Sequence, residues 1–157
     1  MKYTATITPA GKALIDFIEK TPKVVRMSAG FFDGPKYEDG RSVASVAYDN
    51  EYGVAQKQQP PRPFIRPTLA VNGKKWIEIV RQSAGGAAKG GLNVIEIFDV
   101  LGEIVEEDIK KSINRVKSPV LSPRTIAERR ERGNNSTKPL EDTMLMFNSV
   151  DHRVGNK

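Results

Sequence analysis

Four prolines fall within eight residues in the run Pro60-Pro61-Arg62-Pro63-Phe64-Ile65-Arg66-Pro67, which restricts the fold of this chain more than any other stretch. Each proline fixes its own φ, lacks a backbone donor and keeps the preceding residue out of the helical region. The run is therefore a stiff, extended strap, and regular structure must lie on either side of it. Upstream, Ser42 is placed to cap a helix with Val43, Val46 and Ala47 on its apolar face, ending near Gly53. A polar loop, Gln56 to Gln59, leads into the strap. Downstream, Pro67 suits the first turn of a second helix with Leu69, Trp76, Ile77 and Val80 along one side. Two helices are thus joined by a strap that presents Phe64 between Arg62 and Arg66.

The rest of the chain reads as short elements around this centre. Lys2 to Ile7 alternates weakly, as a short strand or an arm. Thr8 and Pro9 open a helix to about Lys20, with Leu14, Phe17 and Ile18 inward. Lys23 to Phe32 is expected as a strand, Val25, Met27, Ala29 and Phe31 sharing one face. Four glycines in nine residues, Ser83 to Gly91, predict a linker, read either as a plain helix-to-helix loop or as a hinge. Asn93 and Glu96 have capping-box spacing and open the longest helix, over 94–114. Its stripe is Val94, Phe98, Leu101, Val105, Ile109 and Ile113, widened by Ile97 and Ile104. Ser122-Pro123 starts a short basic helix ending at Gly133, and the polar GNNST run after it is expected to be mobile. Asp142 or Thr143 caps a last helix with Met144, Leu145 and Phe147. Val150, His152 and Val154 then alternate as a strand pairing antiparallel with Val24–Phe31. The fold expected is α+β: one domain over 1–157, a small antiparallel sheet packed with several helices. Flexible segments are expected near 83–92 and 117–138, with a mobile tail at 155–157.

Composition limits the function classes. A chain of 157 residues forms one domain with a real core, and with no cysteine it has neither disulfides nor thiolate metal ligands. No secretory signal is recognisable, and no apolar run approaches the ~20 residues of a membrane span. The net charge of +6 favours anionic partners or simply reflects a solvated surface. Its distribution is uneven: Asn93 to Ile109 holds six acidic residues and no basic one. Lys110 to Lys138 holds nine basic residues against Glu128 and Glu131.

No catalytic, cofactor-binding or metal site is expected. The lone histidine, His152, is read as a surface or strand-edge residue without a nucleophile beside it. The acidic residues of the long helix lack a coordinating loop and suit its dipole at the N-terminal end. GGAAKGG lacks phosphate-loop spacing. The cluster Arg124, Arg129, Arg130 and Arg132 is open to three readings: a solvated face, a patch lining a DNA channel, or a dock for the acidic 94–114 helix of an adjacent copy.

A family resemblance rests on several stretches together. Val43, Ala44, Val46 and Ala47 run into Asn50-Glu51-Tyr52-Gly53, and then Pro60 through Pro67 follow. Upstream stands VRMSAGFFDGPKYEDG, and downstream KPLEDTMLMFNSV. In combination these resemble the tail-completion proteins of long-tailed bacteriophages, over roughly residues 23 to 154. One departure is Met144, which stands where the family's Pro-Leu-x-Asp-Thr-Gly pattern has glycine. The resemblance implies a non-enzymatic virion protein, assembled in the host cytoplasm, that completes the tail and joins it to the head. It implies a hexameric homo-oligomeric ring in the neck, between the head connector or stopper and the tail terminator or tail tube, with genomic DNA passing through. No cofactor and no membrane are implied. The candidate subunit-interface residues are Asn50, Glu51, Arg62, Phe64 and Arg66, with Phe64 also placed to fill the chain's own core. A tail terminator or another neck protein is the near alternative, and a basic nucleic-acid-binding module is the alternative of another class.

Overall fold

The computed structural model describes residues 24–87 and 93–155, together with Pro9, Lys12, Asp16 and Glu19, which are helical. The expected strand over Lys2–Ile7 and the inward positions Leu14, Phe17 and Ile18 lie outside the described residues. The elements are β1 (Arg26–Gly30), α1 (Val43–Tyr52), α2 (Ile65–Ala87), α3 (Val94–Arg115), α4 (Pro123–Glu131), α5 (Leu145–Asn148) and β2 (Asp151–Gly155), with a 3-10 turn at Ala55–Lys57. The fold is α+β, as expected.

Local signals set most of the boundaries. The Ser42 side chain accepts from the Ser45 amide and starts α1. Asn93 and Glu96 form the full capping box at α3, and Ser122 caps α4 with Pro123 in its first turn. Gly53 ends α1 at φ 78°, a left-handed value that favours glycine. A Cβ there would also stand 2.8 Å from the Gln59 carbonyl oxygen. The chain folds back tightly at this point, and a side chain has no room.

The sheet is a single antiparallel pair, with Met27 opposite Val154 and Ala29 opposite His152. Its inner face lies on α3, which packs against both strands and against α2. α3 is therefore the central element, and Leu101, Val105, Ile109 and Ile113 enter one core with Val43, Ala47, Phe64, Met146 and Val150. The close approach of β2 depends on Gly102, midway along α3, because a Cβ there would collide with the His152 ring.

Four expectations fail here. The strap is extended only to Phe64: Ile65, Arg66 and Pro67 form the first turn of α2, where Pro67 costs no hydrogen bond because first-turn amides have no partner within the helix. Ser83 to Ala87 continue α2 instead of forming a linker, since a helix already running along α3 extends at little cost per residue. Residues 88–92 lie outside the description. On α2 the packed side carries Thr68, Trp76, Ile79 and Val80, while Leu69 and Ile77 are about 60% exposed, at 60% and 63%. Trp76 sets this rotation, its indole donating to the Asp108 carboxylate at 2.9 Å. Finally, neither Asp142 nor Thr143 is the N-cap of α5. Met144 holds that position at φ 59°, without a side-chain cap. A left-handed conformation is one that glycine adopts freely and methionine does not.

Replacing Gly102 by alanine is expected to destabilise the protein by about 1–3 kcal/mol through overpacking, despite alanine's advantage of roughly 1 kcal/mol in helix propensity. Chemical denaturation reads this directly. Wild-type stability in the variant would show the contact between α3 and β2 to be slack.

Candidate functional site

The residues singled out by the sequence come together as one unit where α1 meets α2. Prolines 60, 61, 63 and 67 have no amide hydrogen, so the strap owns four backbone donors, at Arg62, Phe64, Ile65 and Arg66. All four are donated to two consecutive residues at the end of α1. The Arg62 amide donates to the Asn50 carbonyl at 2.6 Å. The Phe64 and Ile65 amides donate to Glu51 Oε2 at 2.7 and 2.9 Å, and the Arg66 amide to Oε1 at 3.1 Å. Glu51 therefore caps α2 from outside the helix, meeting its orphan N–H groups and the positive end of its dipole with one carboxylate.

Glu51 is 2% exposed. Burial alone would push its carboxyl up, but the amides of Ile65 and Phe64 and the Arg66 guanidinium outweigh that and hold it below the ordinary carboxylate range. Arg66 completes the clamp, with Nε donating to Oε1 at 2.9 Å and Nη2 to the Glu51 carbonyl at 2.9 Å. Its guanidinium lies 4.8 Å from the centre of the Tyr52 ring, and Tyr52 leans on Tyr48 at 4.7 Å.

The candidate interface residues are thus mostly internal, which corrects the interface expectation and agrees with the core placement of Phe64. Phe64 is fully buried and meets Phe31 edge-on at 5.9 Å. Arg62 is buried and donates to the carbonyls of Pro119 and Val120 at 2.8 and 3.2 Å, tying the strap to the loop after α3. Asn50 donates to the Val46 carbonyl and accepts from Gln59. Arg66 alone among the five keeps an exposed side chain, and it too is engaged by Glu51.

The basic cluster is also rearranged. Arg129 is 5% exposed, and Nη1 donates to the carbonyls of Ser136, Lys138 and Glu141 at 3.3, 2.8 and 2.9 Å. Arg132 pairs with Asp142 at 3.0 Å and Arg124 with Glu128 at 2.8 Å. For Asp142, burial acts upward, but Asn134 and then Arg132 and Arg129 lower its pKa. The GNNST run, expected to be mobile, is wrapped around Arg129, and Asn134 donates to the carbonyl and carboxylate of Asp142. Only Arg130 of the four candidates extends from the surface without an ion pair among the described residues.

His152 stands on β2 as expected, in surroundings that the sequence did not announce. Its side chain is 13% exposed, seated over Gly102 between two carboxylates of α3. Nδ1 meets Glu106 and Nε2 meets Asp99 at 3.1 Å. The hydrogen bond to Glu106 is the main cause that raises its pKa, burial acting the other way. Glu106, Asp151 and His152 lie close enough to hold a cation. Both ring nitrogens already face carboxylates, however, an arrangement that stabilises the protonated imidazolium rather than leaving a lone pair for a metal. The one sequence signal for this seat was a glycine inside an otherwise strong helical pattern. No helix among the described residues is long and apolar enough to cross a membrane.

Glu51→Gln is expected to destabilise the protein by about 1.5–3 kcal/mol at neutral pH, the range for hydrogen bonds to a charged group, because the Arg66 guanidinium left behind is half exposed and reaches solvent. Because the folded pKa is depressed, this contribution is present above about pH 4.3 and fades as pH falls through the lower folded value. Denaturation of both proteins between pH 7 and pH 3 checks it, and a difference independent of pH would refute it. His152 has the opposite sign. Its contribution is complete below about pH 6.5 and is lost as pH rises through the raised folded value. The stability gap between wild type and His152→Gln should therefore narrow from pH 6 to pH 9. A constant gap would mean that the ring acts by packing alone. Comparison of the chain with protein-family models, curated proteins and solved structures yields no match.

Proposed function

We propose that this chain is a structural virion protein of a tailed bacteriophage that completes the tail and joins it to the head connector as a ring in the neck. The observation that carries the reading is the clamp itself. Asn50-Glu51-Tyr52-Gly53 and Pro60–Pro67 are the two most specific motifs of the resemblance, and they are separated by a loop of a different character. In the folded chain they are two halves of one hydrogen-bonded unit, with Glu51 holding the amides of Phe64, Ile65 and Arg66. Motifs that answer each other physically belong together as a pair, so their joint occurrence counts for more than either run alone. Met144 adds to this. The pattern has glycine at that position, and the backbone there takes the left-handed conformation that would select glycine.

The proposed partners are further copies of the chain in a hexameric ring, the connector or stopper on the head side, and the terminator or tube on the tail side. The role is assembly and requires neither turnover nor cofactor. The nucleic-acid-module reading draws less support, because Arg124, Arg129 and Arg132 are engaged within the chain. Deleting the gene from the phage that encodes it, with lysates viewed by electron microscopy, should give DNA-filled heads and finished tails that remain separate. Normal infectious particles would overturn the proposal.

A further inference from the structure

Arg124, Arg129 and Arg132 are paired within the chain, which leaves only Arg130 of the basic cluster for a partner, and a larger complement to the acidic helix is found on α2. α2 shows solvent a stripe at helical spacing: Ala70, Lys74, Ile77 and Arg81. α3 shows a stripe at the same spacing: Glu96, Val100, Glu103 and Glu107. Ile77 is 63% and Val100 45% exposed, each set between charged residues of one predominant sign. Lys74 and Glu103 form no ion pair among the described residues; Arg81 is held by Glu78 at 3.4 Å, Glu107 by Lys111 at 3.3 Å, and one oxygen of Glu96 by the Asn93 amide at 2.8 Å, leaving its other oxygen for a partner.

Laid antiparallel, the stripes match in sequence and in charge. Ile77 falls on Val100, Lys74 on Glu103, and Arg81 on Glu96, with Ala70 leaving space beside Glu107. The parallel register instead sets Lys74 against Val100 and Ile77 against Glu103, burying a charge on an aliphatic side chain twice. The antiparallel order gives a small apolar centre flanked by opposite charges, the arrangement that fixes register and excludes wrong partners.

We infer that the exposed face of α2 in one copy docks antiparallel on the exposed face of α3 in a second copy of this chain. The two faces differ, so the contact is heterologous: each copy offers one face to each neighbour, and association continues until the circle closes. This deepens the ring reading above and shares its premise that copies of the chain meet one another. It assigns the contact to Lys74, Ile77 and Arg81 against Glu96, Val100 and Glu103, and removes it from the strap.

Sedimentation velocity on the purified full chain tests the pairing, in low salt and up to about 1 mM protein, where weak contacts are populated. Wild type is expected to self-associate, and to do so less at about 1 M salt, where screening reaches within about 3 Å. Lys74→Glu and Glu103→Lys should each weaken association at least about tenfold, the effect of one like-charge juxtaposition. The double variant in one chain, and an equal mixture of the two single variants, should both regain it. Both positions are exposed, so thermal unfolding of all variants should match wild type. A monomeric wild type at the highest concentration would overturn the inference, as would association that neither reversal weakens or that the combined reversals fail to restore. Association indifferent to the reversals leaves the neck reading standing, whereas restored association with normal particles from the gene deletion removes the neck reading and keeps the pairing.

Discussion

The structure depends on one carboxylate more than on any other group. Between Pro60 and Pro67 the chain has only four amide hydrogens to satisfy, and residues 50 and 51 accept all four. Unpaired backbone donors in the interior are costly, so a proline-rich strap that runs beneath other structure needs acceptors supplied from elsewhere. A side chain with two oxygens and a negative charge meets three of them at once and opposes the dipole of a 23-residue helix. Aspartate would fall a methylene short, and glutamine would put an amide donor where only acceptors are wanted. The clamp fixes the end of α1 against the start of α2, which delivers Phe64 to the core and aims Arg62 at the loop after α3. It thereby fixes where α2 starts.

Glu51 also explains why the fold was legible in parts. Ser42, Gly53, Asn93, Glu96 and Ser122 announced their elements because capping is local: donor and acceptor lie three or four residues apart, and the residue types reveal the geometry. The alternation of Met27 and Ala29, answered by His152 and Val154, gave the antiparallel pair for the same reason. Glu51 gave no such sign. Its partners are backbone amides 13 to 15 residues away, and an amide carries no residue identity. Arg129 is hidden in the same manner, since it collects three carbonyls from a loop whose composition suggests mobility. His152 stands on β2 as expected, but its seat was hidden, because it is made by the absence of a side chain at Gly102 and by carboxylates 46 and 53 residues away. Local chemistry could be read from the residue types, whereas chemistry directed at the backbone could not.

The same distinction changes what the net charge means. Arginine has five donors in a planar fork, and here Arg62 and Arg129 use them chiefly on carbonyl oxygens, acting as staples between loops. Arg66 stacks on Tyr52 while it holds Glu51. A tally of basic residues along the sequence counts these beside exposed lysines, although their donors are already used within the chain. What remains to face a partner is set by the helices, where residues at successive turns share a face whatever their neighbours in sequence. The acidic stripe of α3 lies opposite the packed core side; Glu96 closes the capping box and Glu107 pairs with Lys111, while Glu103 has no partner among the described residues. α2 is rotated by the hydrogen bond from Trp76 to Asp108, which turns Lys74, Ile77 and Arg81 outward as a set. A half-buried tryptophan contact thus turns these charges to the surface, and the long-range clamp at Glu51 fixes where α2 begins.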